Sequence, residues 1–173
     1  MTDASRPAPA AAPTIADSFK AVFRHHPSAV ALITASTERG PVGLTASSVA
    51  SVALDPPALS FSVTRATGSA GGLLNAATFV VHLLADTQVE VAEAFAHSGR
   101  ARFTAEQGWS RLETGEPYLP DARAALRGRA LHIVPVGSSS LVIAEILDVH
   151  VGPAAPPLLY QDRRYRRLAR HQA

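Results

Sequence analysis

The sequence predicts a mainly β protein, an antiparallel barrel decorated by a few helices, on three observations. Strand-like apolar segments dominate the chain, the connections between them are short, and helical spacing of apolar residues is confined to a few stretches. Short connections favour antiparallel pairing, because parallel neighbours need crossovers of a dozen or more residues.

Each element follows from its own residues. Positions 1 to about 13, MTDASRPAPAAAP, are rich in Ala and Pro without an apolar segment behind a basic start, so a mobile tail is expected rather than a signal peptide, with a single domain over 14–173. A cytoplasmic location is then the default expectation. Ile15, Phe19, Val22 and Phe23 recur at helical spacing, and Pro27 stops the run after His25 and His26. AVALIT (29–34), a turn at ERGP (38–41), GLTASSVASVALDPP (43–57) and ALSFSVT (58–64) follow as strand candidates. SAGGLLNAA (69–77) predicts a short helix started by Ser69, and FVVHLLA (79–85) predicts a buried strand. DTQVEVAEAFAHS (86–98) predicts a helix capped by Asp86 and ended by Gly99. Residues 99–120 are expected to be irregular, anchored by Phe103, Trp109 and Tyr118. RALHIVPV (129–136) and SLVIAEILDVHV (140–151) resume the strands, and LLYQDRRYRRL closes the chain with one or two more.

Composition removes several function classes. With 47% hydrophobic and 17% charged residues the 173-residue chain can fold around one core, and no apolar run approaches the roughly 20 residues of a membrane-spanning helix. There is no cysteine, which rules out disulfides, thiol catalysis and thiolate metal sites. Redox chemistry would therefore need a bound cofactor. The formal net charge is only +2. Its one dense basic cluster, Arg163, Arg164, Arg166, Arg167 and Arg170, lacks aromatic interleaving, so a solvated or subunit-contacting face is expected rather than nucleic-acid binding.

Catalytic side chains are sparse. His25 and His26 are adjacent, with no metal-ligand spacing around them, so no metal site is expected. His82 lies in an apolar strand and reads as a hydrogen-bonded core histidine. GxSxG, GxGxxG and the Walker pattern are all absent, and Ser47 has no base nearby in sequence. What remains is a run of small donors where a buried strand would carry branched apolar residues: Thr45, Ala46, Ser47 and Ser48, then Ser62 and Thr64 on the next strand, and Ser69 at a helix start. Such donors suit a planar heterocycle with carbonyls, and Ser69 with Arg65 close by suits a phosphate. The alternative is that the same residues only form turns and caps or fill an exposed strand face.

Segment order adds a resemblance. From Phe19 to Leu168 the chain resembles the flavin reductase family, the reductase partners of two-component monooxygenases, which share an FMN-binding split-barrel fold of Greek-key type. FRHHPSAVALIT is similar to the family's opening segment, with Ser28 and Ala29 where Thr and Gly are usual. GLTASSVASVALDPP is similar to its Gly-x-Thr-Ala-Ser-Ser motif followed by Ser-x-x-x-Pro-Pro. SFSVTRATGS, FVVHLLADTQVEVAEAFA, the RF at 102–103 and PLLYQDRRYRRL follow in family order. The resemblance implies a homodimeric NAD(P)H:flavin oxidoreductase that uses NADH or NADPH to supply reduced FMN or FAD to a partner monooxygenase. It also implies that Thr45 to Ser48 meet the isoalloxazine and ribityl regions, that Ser62 to Thr64 add contacts, that Ser69 lies near the phosphate and that Phe103 covers part of the site. One departure stands out. Where the family commonly has Gly-Asp-His, this chain keeps Gly137 but carries Ser138 and Ser139. Ser139 is thus the candidate on the nicotinamide side, and the lost histidine raises an alternative: a flavin-binding carrier of the same fold without efficient reductase activity.

Overall fold

The structure, a computed structural model, describes residues 12–64 and 67–168. In chain order the first half runs α1 (Ile15–His25), β1 (Ser28–Ala29), β2 (Ala31–Thr37), β3 (Gly40–Ala46), β4 (Ala50–Leu54), β5 (Pro57–Thr64), α2 (Ser69–Leu74) and β6 (Phe79–Leu83). The second half runs α3 (Val89–Ala96), a 3₁₀ turn (Ala105–Gln107), β7 (Ser110–Arg111), β8 (Pro117–Tyr118), β9 (Ala124–Val136), β10 (Ser139–Val151), β11 (Leu159–Gln161) and β12 (Arg164–Arg166).

Seven strands form one antiparallel sheet in the order β3-β2-β6-β9-β10-β5-β4. Its two edge strands, β3 and β4, are consecutive in the chain, joined by residues 47–49. Laid flat, six inter-strand steps of about 4.8 Å would hold these edges roughly 29 Å apart. The four residue steps from Ala46 to Ala50 span at most about 14 Å. The sheet must therefore curl on itself, and it does so with a seam between β3 and β4 that no ladder closes among the described residues. Ser48 pins the seam: its Oγ accepts the Ser62 amide of β5 at 2.9 Å and lies 3.0 Å from the Ser62 hydroxyl. This is the split barrel that the resemblance implied.

Strand alternation explains the two cores. Ala31, Ile33 and Ala35 of β2 and Phe79 and Val81 of β6 point into the barrel, where they meet Leu59, Phe61 and Val63 of β5, Val142 and Ala144 of β10, and Leu73 of α2. Phe61 and Phe79 meet edge to face at 5.4 Å. The opposite face of β2 contributes Leu32, which packs with Leu84, Val91, Phe95, Leu119 and Leu158 under α3 and the segment that follows it. Burying each such large side chain contributes about 1.5–3 kcal/mol.

Several expectations are corrected. GLTASSVASVALDPP is not one strand but two, because the chain must cross the seam at 47–49, and its second proline opens β5. The Asp55–Pro56 peptide is cis. Asp86 does not cap α3: its amide donates to Pro156 O, and Gln88 takes the cap position while its Oε1 accepts from Ala85 N. Ser69 lies in the first turn of α2, and Gly68 holds the cap position. Residues 99–120 are less irregular than expected, since β7 and β8 pair with each other. Phe103 and Trp109 anchor that segment against the core beneath α3. The first helix forms as expected, its start fixed by reciprocal bonds between Thr14 and Asp17. Its apolar side, however, stays uncovered: Ile15, Phe19, Val22 and Phe23 are all more than half exposed. Residues 1–11 of the expected tail, Arg65 and Arg170 lie outside the described residues.

Candidate functional site

A groove of about 730 Å³ opens where the barrel seam meets α2 and α3, and it gathers most of the hydroxyl run. Thr45, Ala46, Ser47, Ser48, Ser62, Val63, Thr64 and Ser69 all line it. The local cause is the seam crossing itself. Once β3 ends at Ala46, the Ser47 and Ser48 amides have no partner strand, and neither finds a hydrogen-bond acceptor among the described residues. The hydroxyls of Thr45 and Ser47 are equally free of partners among them. Ser48 differs, because its Oγ is engaged by Ser62, so this residue offers the groove an amide rather than a hydroxyl.

Small residues are forced on the wall beneath. A Cβ on Gly43 would come within 2.7 Å of the Phe95 ring, so α3 packs onto β3 only if this position is glycine. Arg102 then locks the corner. Its Nε donates to Ala94 O at 3.0 Å, its second terminal nitrogen to His97 O at 3.2 Å, and its first to Ser69 Oγ at 3.3 Å. The guanidinium carbon lies 5.4 Å from the Phe95 ring centroid, which adds a cation–π contact. Arg102 also lines the groove and supplies a fixed positive charge beside Ser69.

Two expected positions need separate treatment. Phe103 does not line the groove: with φ of +57° it turns away and packs edge to face on Phe95 at 4.9 Å and against Trp109 at 4.9 Å. In this structure the half-buried ring anchors its segment to the core under α3. Ser139 does come close. It pairs with Thr64 across β10 and β5, and its hydroxyl donates to Thr64 Oγ1 at 3.4 Å, at the rim of the groove. Gly137 and Ser138 form the two-residue turn between β9 and β10, with Gly137 at φ +59°, as the first position of a type II′ hairpin turn demands.

Polar residues elsewhere are satisfied internally. His82 is fully buried, donating from Nδ1 to Leu32 O at 3.1 Å and accepting Leu119 N–H at Nε2 at 3.2 Å. Burial pushes its pKa down to about 4 despite the Leu32 carbonyl, so the ring is neutral and structural, as expected from the sequence. Glu116 is buried as well. Desolvation alone would raise its pKa, but the hydroxyls of Thr114 and Thr78 and the Arg127 guanidinium, 2.8 Å away, hold it below the ordinary glutamate value. Among the described residues no group of three or more His, Asp or Glu side chains is placed to hold a metal ion.

A second cavity of about 720 Å³ adjoins the groove, sharing Thr45, Ala46, Ser47 and Ala96 with it and running between α3 and the β11–β12 hairpin. Arg163, Arg164, Tyr160 and Tyr165 line it. From the sequence these arginines are expected on a solvated or subunit-contacting face. The one signal available there was a pair of arginines set between two tyrosines at 160 and 165. Arg102 was equally legible, standing beside Phe103 in the RF pair, but its role depends on which carbonyls the fold brings around it.

A split barrel with a donor-lined groove at its seam defines a class of small flavin-handling proteins, and comparison with known proteins agrees. The family model described as flavin reductase like domain matches residues 23–169, and the chain belongs to that family. It is 38% identical over 156 residues to an NADH:FMN oxidoreductase of Rhodococcus qingshengii, covering 88% of this chain and 81% of that one. It is 30% identical over 155 residues to the reductase component of an FADH(2)-dependent resorcinol hydroxylase of Rhizobium sp. (strain MTP-10005), covering 87% and 86%. Among solved structures, an NADH:FAD oxidoreductase of Streptomyces globisporus C-1027, in complex with NAD and FAD fragments, superposes with a TM-score of 0.84 at 26% identity, covering 96% of this chain and all of that one.

Proposed function

We infer that this chain is an NAD(P)H-dependent flavin reductase that supplies reduced FMN or FAD to a partner monooxygenase, one flavin-binding domain spanning 14–173. The observation that carries the reading is the groove at the seam, whose free amides and hydroxyls have no structural use. Its volume is that of a cofactor-sized pocket, and its donor set fits a flavin: neutral donors for ring carbonyls and nitrogen, the apolar surfaces of Ala46 and Val63 for a ring face, and Arg102 beside Ser69 for a phosphate. A bound flavin supplies hydride acceptance and delivery at its ring.

This chain's residues do the rest by position and electrostatics. The Ser47 and Ser48 amides and the Thr45 hydroxyl, fixed by the seam crossing, donate hydrogen bonds that strengthen as negative charge builds on the ring, which favours its reduced form. No side chain in the groove need act as an acid or base. Arg102 keeps Ser69 oriented while its own charge offsets that of a phosphate. Ser139, at the rim beside Thr64, stands where a nicotinamide would approach.

The assembly follows from uncovered apolar surface. Ile15, Phe19, Val22 and Phe23 of α1, Val52 and Leu54 of β4, and Val136, Val149 and Val151 of the β9–β10 hairpin are each more than half exposed. Exposed apolar side chains on these elements mark association surfaces, and a second copy of the chain is the occupant we assign. Light scattering should give twice the 18.1 kDa chain mass. A monomer at micromolar concentration removes the assignment.

Titration with FMN and FAD tests the flavin reading directly: saturable quenching of flavin fluorescence is expected, and its absence at tens of micromolar protein sinks it. Steady-state oxidation of NADH and NADPH with either flavin then tests turnover. The Ser138–Ser139 hairpin favours one second reading, a flavin carrier of the same fold. Tight flavin binding with negligible NADH and NADPH oxidation would select it.

A further inference from the structure

We propose that α1 is a strap over the seam end of the hydroxyl groove, which closes on a bound flavin nucleotide through Phe19 and Phe23 and sets how long that ligand stays. The proposal rests on reading the groove as the flavin site, and it adds an element that the groove's own walls do not include.

The helix is an arm fixed at one end. Reciprocal bonds between Thr14 and Asp17 close its first turn, and the Phe19 and Phe23 rings meet one turn apart at 4.5 Å, so it keeps its shape through its own residues. None of its 11 residues is buried. Its base, by contrast, is clasped. Asp162 N donates to Arg24 O at 2.8 Å, Gln161 Nε2 donates to His25 O at 2.8 Å, and His25 Nδ1 lies 2.6 Å from Asp162 Oδ1. β1 follows directly and pairs with β11, Ser28 with Tyr160 and Ala29 with Leu159. From Ile15 to Phe23 no hydrogen bond or ion pair reaches the barrel among the described residues. That leaves about 13 Å of helix held only at its base.

Space lies beneath the arm. A cavity of about 950 Å³ separates it from the seam, with Phe19 and Phe23 on one wall and Ser47, Ser48 and Ser62 on the other. The same three serines line the groove, so the two spaces are continuous. Phe19 and Phe23 are 61% and 57% exposed although they face a cavity of their own chain. Lowering the arm onto a planar ring at the seam buries both, and aromatic faces stack favourably. Charge acts in the same sense. Lys20 and Arg24 of the arm line the cavity, and none of its walls is acidic, so an anionic nucleotide binds the lowered arm better than the raised one. That difference in affinity is what a ligand-driven closure requires. Ile15 and Val22 line no part of the cavity and stay available to a second copy.

The experiment compares wild type with Phe19→Ala/Phe23→Ala and with Ile15→Ala/Val22→Ala, which alters the same helix off the cavity. Stopped-flow displacement of FMN should show dissociation at least fivefold faster in the phenylalanine variant, with the association rate within twofold of wild type. The Ile15/Val22 variant should release FMN as wild type does. Melting temperature should hold in both, since none of the four side chains is buried. Hydrogen exchange gives a readout apart from kinetics: saturating FMN should slow the α1 amides of wild type and leave those of the phenylalanine variant unchanged. The strap is overturned if FMN changes neither exchange in α1 nor its release on loss of the rings. It is equally overturned if both variants speed release alike, or if release follows protein concentration and thus dissociation of a dimer. Failure of wild type to bind FMN or FAD at all is a separate result, which removes the flavin reading and the strap together.

Discussion

Glu116 and Ser47 are both polar residues at the margin of an apolar core, and the fold treats them oppositely. Around Glu116 every polar group has a partner: Thr78, Thr114 and Arg127 surround the carboxylate, Thr34 donates to Pro117 O, and His82 bridges Leu32 and Leu119. Around Ser47 the amides of Ser47 and Ser48 and the hydroxyls of Thr45 and Ser47 face a groove without a hydrogen-bond partner among the described residues. Burial separates the two, since Glu116 is 2% exposed whereas Ser47 and Ser48 are exposed, and partnering separates them in the same sense. A polar group satisfied by its own chain stabilises the fold, and one left open beside a cavity is available to a ligand.

The comparison breaks most visibly at Glu116. Glu116→Ala leaves the mostly buried Arg127 guanidinium without its carboxylate, and removing one partner of a buried ion pair costs about 3–5 kcal/mol. For a chain of this length that is a fall in melting temperature of roughly 10 °C. Flavin affinity should be unchanged, since Glu116 shares no contact with the groove. A variant that keeps its melting point but loses flavin would reverse the assignment of the two regions.

Acid should act on the same partnered region. The folded pKa of His82, about 4, lies below its unfolded value of 6.5, so between these limits the unfolded chain binds more protons and stability falls as pH falls. The loss begins below about pH 6.5 and is complete near pH 4, amounting to a few kcal/mol at about 1.4 kcal/mol per pH unit. Glu116, whose pKa is lowered, adds its own loss only further down, below the ordinary glutamate value of 4.5. Melting temperature measured from pH 7 to pH 5 should therefore slope downward, and His82→Gln should flatten that slope while lowering its starting point. An unchanged slope in the variant would remove His82 as its source.

Much of the fold was legible because alternation and short connections are local. The strand at 79–83, the helix at 89–96 and the long β9–β10 hairpin are all visible as periodicity. The seam was not, because it follows from strand order, a long-range property: the small hydroxyl run looked like one strand until β3 and β4 proved to be opposite edges of the sheet. The same limit explains the site. Thr45, Ser47, Ser48, Ser62 and Thr64 stood out as hydroxyls where branched apolar residues were expected. Arg102 depends on carbonyls brought together from α3 and β3, and the φ of +57° that sets the Phe103 ring against Phe95 and Trp109 has no signature in the sequence. The internal bond between Ser48 and Ser62 could not be read from spacing at all.

That bond sharpens the comparison at the groove, because Ser48 belongs to both regions. Ser48→Trp places an indole over the seam and removes the Oγ that accepts the Ser62 amide. Flavin Kd should rise at least tenfold, about 1.4 kcal/mol, while stability falls by about 1 kcal/mol for the lost hydrogen bond. The smaller change Ser48→Ala should reproduce the stability loss with little effect on flavin, since the groove receives the amide of this residue and not its hydroxyl. Equal weakening of flavin by both variants would mean that the hydroxyl does reach the ligand, with the Ser62 bond giving way on binding.

The smallest expected effect concerns Ser139, which sits at the rim rather than in the groove. Its hydroxyl touches only Thr64 among the described residues, so Ser139→His removes one weak contact at 3.4 Å and leaves the β5–β10 ladder intact. An imidazole there can donate to a carboxamide or phosphate of the nicotinamide donor and improve hydride alignment. Such a positioning gain should raise kcat/KM for NADH three- to tenfold, or about 0.7–1.4 kcal/mol. Flavin Kd should move less than twofold, because the amides of Ser47 and Ser48 lie across the seam from this residue. A simultaneous drop in kcat/KM and unchanged flavin affinity would show that the Ser138–Ser139 rim is already fitted to the nicotinamide. The open rim would then belong with the groove as binding surface and not as a site from which function has been lost.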